Sequence, residues 1–383
     1  MIRTDARTLD RWTSRSSGVR GSFDPQLATY AALLAAVGLA MAYSNSADAG
    51  PSVAAAGSTV VRGAIWACVA IAVFAGLTGF DYRWLRTFAW PLYIAQLGLL
   101  VATLAFGDGV GGSARWVSFG PIAFQFSEVA KILMIVVLAN YLAARNGRLQ
   151  SPGSIVGACL LVVPAWLLVM IQPDLGTSLV FAAILSGMLF MSGASLRWLG
   201  LLGGLVVAFV PLAWTYLLKD YQKTRLTSFL NPAADIHGSG FQLYQAQSTV
   251  ASGAWMGKGL ANGTGSELDY LPVQTTDFVF ARLAEELGFI GGVVVLALFA
   301  ALLARVVLVA WRCRDPFGTM FCCGIASMLL FQLVVNVGMV LGLTPITGIP
   351  LPFVTHGGAS LVSTAAGLGI VQSINLRQGR AGW

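Results

Sequence analysis

Four ionisable side chains lie close together at the start of an apolar stretch. In "TTDFVFARLAEELGFIGG", residues 275–292, Asp277 precedes Arg282, Glu285 and Glu286. Ionisable groups in a membrane span are costly and usually face the protein interior or a wet cavity. Capping by Asp277 and pairing of Arg282 with one glutamate leave one carboxylate over, which predicts a hydrated cavity. From the residues alone, Asp277 is equally consistent with a helix cap and with a catalytic carboxylate.

A second charged group occurs in "FQFSEVAKIL", where Glu128 and Lys131 are three residues apart. This spacing places both side chains on one helical face, where they can pair. The pair is either a structural lock for its helix or a cavity wall on which Lys131 contacts an anionic ligand. Gln125 and Ser127 belong to the same stretch and are candidate substrate-binding residues.

Two further stretches carry weaker signals. "GVGGSARWVSFGP" places Arg115 and Trp116 in a glycine-rich loop, which suits either phosphate or sugar recognition or an interfacial anchor. "QPDLGTSLV" places Asp174 before an apolar run, where an aspartate is very often a helix cap. His237 and His356 have no metal-ligand partners at a recognised spacing, and the five cysteines are interpreted as small core residues.

The composition identifies the elements that must position these residues. The chain has 383 residues, of which 57% are hydrophobic and 10% charged. Soluble domains carry about a quarter charged residues, so an all-α polytopic membrane protein is predicted. The net charge of +7 does not indicate nucleic acid, because most of the excess lies in short segments between apolar runs.

Apolar windows of about 20 residues predict ten transmembrane helices. The predicted spans are 27–44, 59–79, 87–106, 125–143, 154–171, 176–194, 198–218, 279–304, 318–342 and 358–374. The first is interpreted as a retained span rather than a signal peptide, because its apolar run is too long. Alternating basic connections place both tails, 1–26 and 377–383, in the cytoplasm, around a transmembrane domain at 27–376. One long external loop, 219–278, then joins helices 7 and 8, and its Gln–aromatic pattern suggests an amphipathic or re-entrant segment.

Several motifs in one order resemble the SEDS family (shape, elongation, division and sporulation), and the RodA branch more than the FtsW branch. They are the Arg115–Trp116 loop, "FQFSEVAK", "QPDLGTS", "FLNP", "GKG…GT…LDYLP", "TDFVFARLAEELGFIG" and "TPITGIPLPFVTHGGAS". The resemblance implies a glycosyltransferase that polymerises lipid II into peptidoglycan at the outer face of the bacterial inner membrane, during cell elongation. It also implies about ten helices, a divalent cation (Mg²⁺ or Mn²⁺) with unknown ligands, and a class B penicillin-binding protein as partner.

The resemblance also implies roles for particular residues. Asp277 matches the aspartate that the family requires for polymerisation, and we expect it to be the general base on the acceptor sugar hydroxyl. The residues expected to bind substrate are Arg115, Trp116, Gln125, Ser127, Glu128, Lys131, Asp174 and Lys258. Arg282, Glu285 and Glu286 are expected to support the site. The chain departs from the family pattern at Phe126, Val273, Thr275, Thr355, His356 and Ala359.

Two other classes of function remain open from the sequence. A flippase for a lipid-linked precursor, or another polytopic transporter, would also use buried charges such as Glu128, Lys131 and Asp174. The critical charges of a carrier should reach the bilayer midplane, whereas here they crowd the external third. A non-catalytic membrane scaffold would make Asp277 dispensable.

Overall fold

The computed structural model describes residues 22–47, 53–107, 116–119, 122–145, 151–216, 218, 220–231, 235, 238–262, 277–355 and 357–378. Arg115, which is predicted to bind substrate, lies outside the described residues, as do His237, His356 and most of both tails that are predicted to be cytoplasmic.

The described chain is almost entirely helical. Its helices are α1 (Pro25–Ala47), α2 (Val53–Gly79), α3 (Arg83–Thr87), α4 (Ala89–Phe106), α5 (Phe126–Ala143), α6 (Pro152–Ile171), α7 (Leu175–Met191), α8 (Leu196–Tyr216), α9 (Asp220–Leu230), α10 (Ser239–Ser252), α11 (Val279–Arg312), α12 (Pro316–Val340) and α13 (Gly358–Arg377). Before α5, β1 (Val117–Phe119) and β2 (Ile122–Phe124) form a short antiparallel hairpin in which Ser118 pairs with Ala123.

Within the described residues, nine helices are long and apolar enough to cross a membrane, and α7 is a shorter apolar helix. Each of the ten lies at a predicted span, so the prediction of an all-α, multi-pass membrane protein is confirmed. A helix satisfies its own backbone hydrogen bonds, which is what a segment surrounded by hydrocarbon requires. The short hairpin lies in a connection between spans, where that requirement does not apply.

The bundle is organised around α5 and α12. α12 packs against α11, α7 and α5, and α13 packs along α2 and α5. Small residues allow the closest approaches: a methyl group added to Gly367 of α13 would meet Ile325 at 2.7 Å and Ile132 at 3.2 Å. α8 is peripheral, because it packs chiefly against α7 and none of its described side chains is buried.

Two departures from regular helix concern the site. α11 is interrupted at Gly288, whose φ of 69° and ψ of −172° lie outside the helical region. The long connection before it is not an irregular loop where it is described, since it contains α9 and α10. The segment predicted to be amphipathic forms α10, which buries Leu243 and Ala246 and exposes Tyr244.

Candidate functional site

The predicted site residues gather at one end of the bundle, where α5, α7, α11 and α13 begin and α12 ends; we call it the site end. Gln125 Nε2, just before α5, donates to Asp174 Oδ2, just before α7, at 3.0 Å. Asn336, near the end of α12, donates to the backbone carbonyl of Asp277, just before α11. The first contact joins the beginnings of α5 and α7, and the second joins the beginning of α11 to the end of α12.

Asp277 lies one residue before the N-cap of α11, the helix for which the sequence made it a candidate cap. Phe278 is the N-cap of α11, and its own side chain makes no capping bond. Asp277 precedes the N-cap, so both its capping role and its catalytic role stay predictions. Asp277 is partly exposed at the site end.

The loop between α12 and α13, residues 341–357, brings a turn against this carboxylate. Gly348 has a φ of +72°, a left-handed conformation that favours glycine. A methyl group there would lie 3.4 Å from Asp277 Oδ2 and 3.7 Å from Nη1 of Arg225, on α9. The carboxylate and the guanidinium therefore flank one turn. On its other side the turn contacts α7, since a methyl on Gly176 would meet Thr347 O at 2.7 Å.

Asp174 is both a helix cap and a member of the site. Its Oδ1 accepts from the backbone N–H of Thr177 at 3.1 Å, which confirms the predicted cap of α7. Its Oδ2 accepts from the Thr177 hydroxyl at 2.8 Å and from Gln125 Nε2. Gln125 also donates to Ser127 Oγ at 3.0 Å. Asp174 is 3% exposed, so its carboxylate holds α5 against α7.

The predicted pairing of Glu128 with Lys131 is confirmed. Lys131 Nζ lies 2.8 Å from Glu128 Oε1, and both side chains are buried. Glu128 Oε2 makes no hydrogen bond to any described group. Other buried oxygens near the site end also make none among the described residues: Gln332 Oε1, Asn336 Oδ1, Thr347 Oγ1 and Ser360 Oγ. Buried polar atoms normally have partners, so these acceptors are suited to a hydroxyl-bearing ligand or to water.

Arg282 and Glu286 form the first of two ion pairs near the start of α11. Arg282 Nε lies 2.7 Å from Glu286 Oε1, which confirms a predicted pair four residues apart. Ser44 of α1 donates to the same carboxylate oxygen and accepts from Arg282 Nη2 at 2.9 Å. The Ser44 hydroxyl also accepts from the backbone N–H of Ala261 at 3.1 Å.

Glu285 and Lys258 form the second ion pair. Lys258 Nζ lies 2.6 Å from Glu285 Oε1, which also accepts from the Ser252 hydroxyl. Lys258 belongs to residues 253–262, here named the strap, which cross α11 at its break. The N–H groups of Lys258 and Gly259 donate to the carbonyls of Glu285 and Glu286 at 3.0 Å each. The carboxylate left over in the sequence-based pairing, Glu285, has a partner in Lys258, so these charges alone do not require the predicted hydrated cavity.

Two residues of the site, Arg225 and Asn336, were not predicted from the sequence. Arg225 lies in the polar helix α9, within a connection expected to be mostly irregular, and nothing local linked it to Asp277. Asn336 carried a usable signal, because an amide in the apolar stretch "LVVNVGMV" is a polar group in a span and usually faces the protein interior. Trp116 is half-buried beside the hairpin.

Among the described residues, no group of three or more His, Cys, Asp or Glu side chains could hold a metal ion. Mg²⁺ is commonly held by one or two carboxylates together with substrate phosphates. Asp277, partly exposed and beside the 341–357 loop, is compatible with that mode of binding. A preformed protein cage is not present in the described part of the chain.

The comparisons with known proteins agree with this architecture. Residues 25–379 match the family model FTSW_RODA_SPOVE, described as a cell cycle protein. The chain is 42% identical over 289 residues to the peptidoglycan glycosyltransferase MrdB of Escherichia coli K12, covering 74% of this chain and 76% of MrdB. It is 37% identical over 350 residues to the stage V sporulation protein E of Bacillus subtilis, covering 90% and 94%.

Two solved structures are also similar to this chain over most of its length. A peptidoglycan synthase complex, described as coordinating polymerization and crosslinking, contains a chain with a TM-score of 0.77 and 33% identity, covering 92% of this chain and 98% of that one. The rod shape determining protein RodA of Thermus thermophilus has a TM-score of 0.68 and 29% identity, covering 93% and 98%. The fold and the site end thus define a polytopic membrane protein whose described candidate site residues gather at one end of the bundle. The chain belongs to the FtsW/RodA/SpoVE family.

Proposed function

We propose that the protein is a peptidoglycan glycosyltransferase that polymerises lipid II, with Asp277 as the general base. One observation carries the proposal: the carboxylate of the partly exposed Asp277 and the guanidinium of Arg225 both lie at the Gly348 turn at the site end. Relatives at this level of identity carry the name peptidoglycan glycosyltransferase. A base for a sugar hydroxyl and a cation for a departing pyrophosphate are the two groups that such a transfer needs.

In the proposed reaction, the 4-hydroxyl oxygen of the acceptor sugar forms a bond to the anomeric carbon of the donor. The bond from that carbon to the lipid pyrophosphate breaks, and the pyrophosphate leaves with the electron pair. Asp277 takes the hydroxyl proton.

The leaving group needs positive charge. Arg225 is a described cation that lies, like Asp277, beside the Gly348 turn. Lys131 lies deeper in the bundle, where it pairs with one carboxylate oxygen of Glu128. The second oxygen of Glu128 has no described partner, so a pyrophosphate bound at Lys131 would compete with only one oxygen of Glu128.

Lys258 pairs with Glu285 and is therefore a structural residue in this proposal. A divalent cation at Asp277 would supply further charge for the pyrophosphate, and Arg115 retains its predicted role.

The proposal includes the orientation of the protein in the membrane and its protein partner. The site end faces the outside of the cytoplasmic membrane, where the headgroup of a lipid-linked sugar lies, and both termini are cytoplasmic. The protein acts with a class B penicillin-binding protein that crosslinks the glycan. Support for the partner comes from the similar chain within a complex described as coordinating polymerization and crosslinking.

The test is glycan synthesis from lipid II by purified protein with its cognate penicillin-binding protein, in detergent. Asp277→Asn should lower turnover by about 10²–10⁴-fold, the usual contribution of a positioned base. Asp24→Asn is the matched control, because it removes a carboxylate bound to Arg305 far from the site end. Wild-type turnover by Asp277→Asn would refute the assignment, and absence of polymer from the wild-type complex would favour the transporter.

A further inference from the structure

Asn336 joins the two parts of the chain that flank the proposed reaction centre. It lies one turn before the end of α12, and its side chain is fully buried. Its Nδ2 donates to the Asp277 carbonyl at 3.2 Å and to the Ile349 carbonyl at 2.8 Å. A side-chain amide has two N–H donors in a fixed geometry, so this one group sets the separation of two chain segments.

Both carbonyls need an outside donor. The first backbone bonds of α11 go to the carbonyl of Phe278, which leaves that of Asp277 outside the helical ladder. Ile349 follows the left-handed residue Gly348, where the chain has no regular hydrogen bonding. Buried carbonyls are almost always paired, and Asn336 supplies the donor to each. Asn336 Oδ1 makes no hydrogen bond to a described group, so its polar contacts are these two donated bonds.

The two bonded residues bracket the site. Asp277 carries the carboxylate, and Ile349 adjoins Gly348, whose added methyl would lie 3.4 Å from Asp277 Oδ2. We propose that Asn336 is a positioning residue for glycosyl transfer, which aims the Asp277 carboxylate by fixing its backbone against the Gly348 turn. This inference rests on the proposed function, because it requires Asp277 to take the proton.

The first test uses Asn336→Asp, which keeps the shape of the side chain but retains at most one donor, together with Asn336→Leu, which retains none. We expect kcat for lipid II polymerisation to fall by roughly 10–100-fold, as expected for a displacement of about 1 Å, with KM nearly unchanged. Gln372→Leu is the control, since Gln372 is fully buried and neither of its amide atoms bonds to a described group. Turnover is measured per folded molecule, so a merely structural role would leave it at the wild-type value and overturn the proposal.

A second test places Asn336→Asp in an Asp277→Asn background and measures the residual turnover. If Asn336 acts through Asp277, the added change should lower that turnover less than about twofold, because residues acting as a unit are non-additive. A full independent loss would contradict the proposal. Wild-type turnover by Asp277→Asn would refute both the proposed function and this inference. Normal Asn336 variants beside an inactive Asp277→Asn would refute the positioning role alone.

Discussion

Lys258 Nζ lies 2.6 Å from Glu285 Oε1, and this pair joins the strap to the first turns of α11. The sequence assigned Lys258 to the substrate. In the structure its side chain is 27% exposed and its ammonium pairs with a buried carboxylate, beside the backbone bonds from the strap to Glu285 and Glu286. Lys258, which was predicted to bind substrate, therefore bonds the strap to α11.

Lys258→Met should lower the free energy of unfolding by about 1–3 kcal/mol, because it leaves Glu285 buried without its cation. Turnover per folded molecule should stay near wild type. The measurements are thermal stability and limited proteolysis of the strap, compared with Glu285→Gln and the double variant. A raised KM for lipid II with unchanged stability would restore Lys258 to the substrate.

Lys131→Met should be strongly destabilising, by about 3–5 kcal/mol, since it leaves the buried Glu128 carboxylate unpaired. Adding Glu128→Gln removes that charge and should recover most of the thermal stability. Polymerisation by the double variant should nevertheless remain at least tenfold below wild type, as expected if Lys131 also meets the pyrophosphate. If the double variant were stable and had full turnover, the Glu128–Lys131 pair would have a structural role only.

Gly348→Ala should impair turnover more than stability. Its φ of +72° makes any side chain strained by about 1–2 kcal/mol, and the new methyl would lie against Asp277 and Arg225. Gly193→Ala is the matched control, because Gly193 has a φ of +81° and open space around its added methyl. Equal turnover for the two variants, measured per folded molecule, would argue against a reaction centre at the Gly348 turn.

Cys313, in the connection between α11 and α12, should react slowly with maleimides. Burial raises the pKa of its thiol above the usual range, and only the thiolate reacts. In a variant whose only cysteine is Cys313, the alkylation rate should still be rising above pH 9. The same variant in denaturant should level off near its ordinary pKa of about 8.5. Matching profiles would show that the folded protein leaves this thiol unburied.

The membrane fold was predictable because the bilayer imposes a strong length and polarity requirement on each span. Pairs close in sequence, such as Glu128 with Lys131 and Arg282 with Glu286, followed from helical spacing alone. The partner of Glu285 did not, because Lys258 lies 27 residues away on a connection whose path the sequence does not specify. Arg225 was missed for the same reason, as helix periodicity does not specify contacts between α9 and the 341–357 loop.

Asp277 shows a different limit. Cap residues and catalytic carboxylates have the same chemistry, and a boundary uncertain by a few residues does not separate them. In the structure Phe278 is the N-cap of α11, one residue after Asp277. The resemblance to the SEDS family singled out Asp277 without its geometry, and the structure added the neighbours Gly348, Arg225 and Asn336.

The break at Gly288 has a consequence for how α11 crosses the membrane. It divides α11 into a charged first part, 279–287, and a remainder, 289–312, that is about 36 Å long at ~1.5 Å per residue. The remainder alone matches a hydrocarbon thickness of about 30 Å with some tilt. The break therefore leaves a remainder that can cross the bilayer without residues 279–287. Arg282, Glu285 and Glu286 lie outside that length, so spanning the membrane does not require them to enter the hydrocarbon.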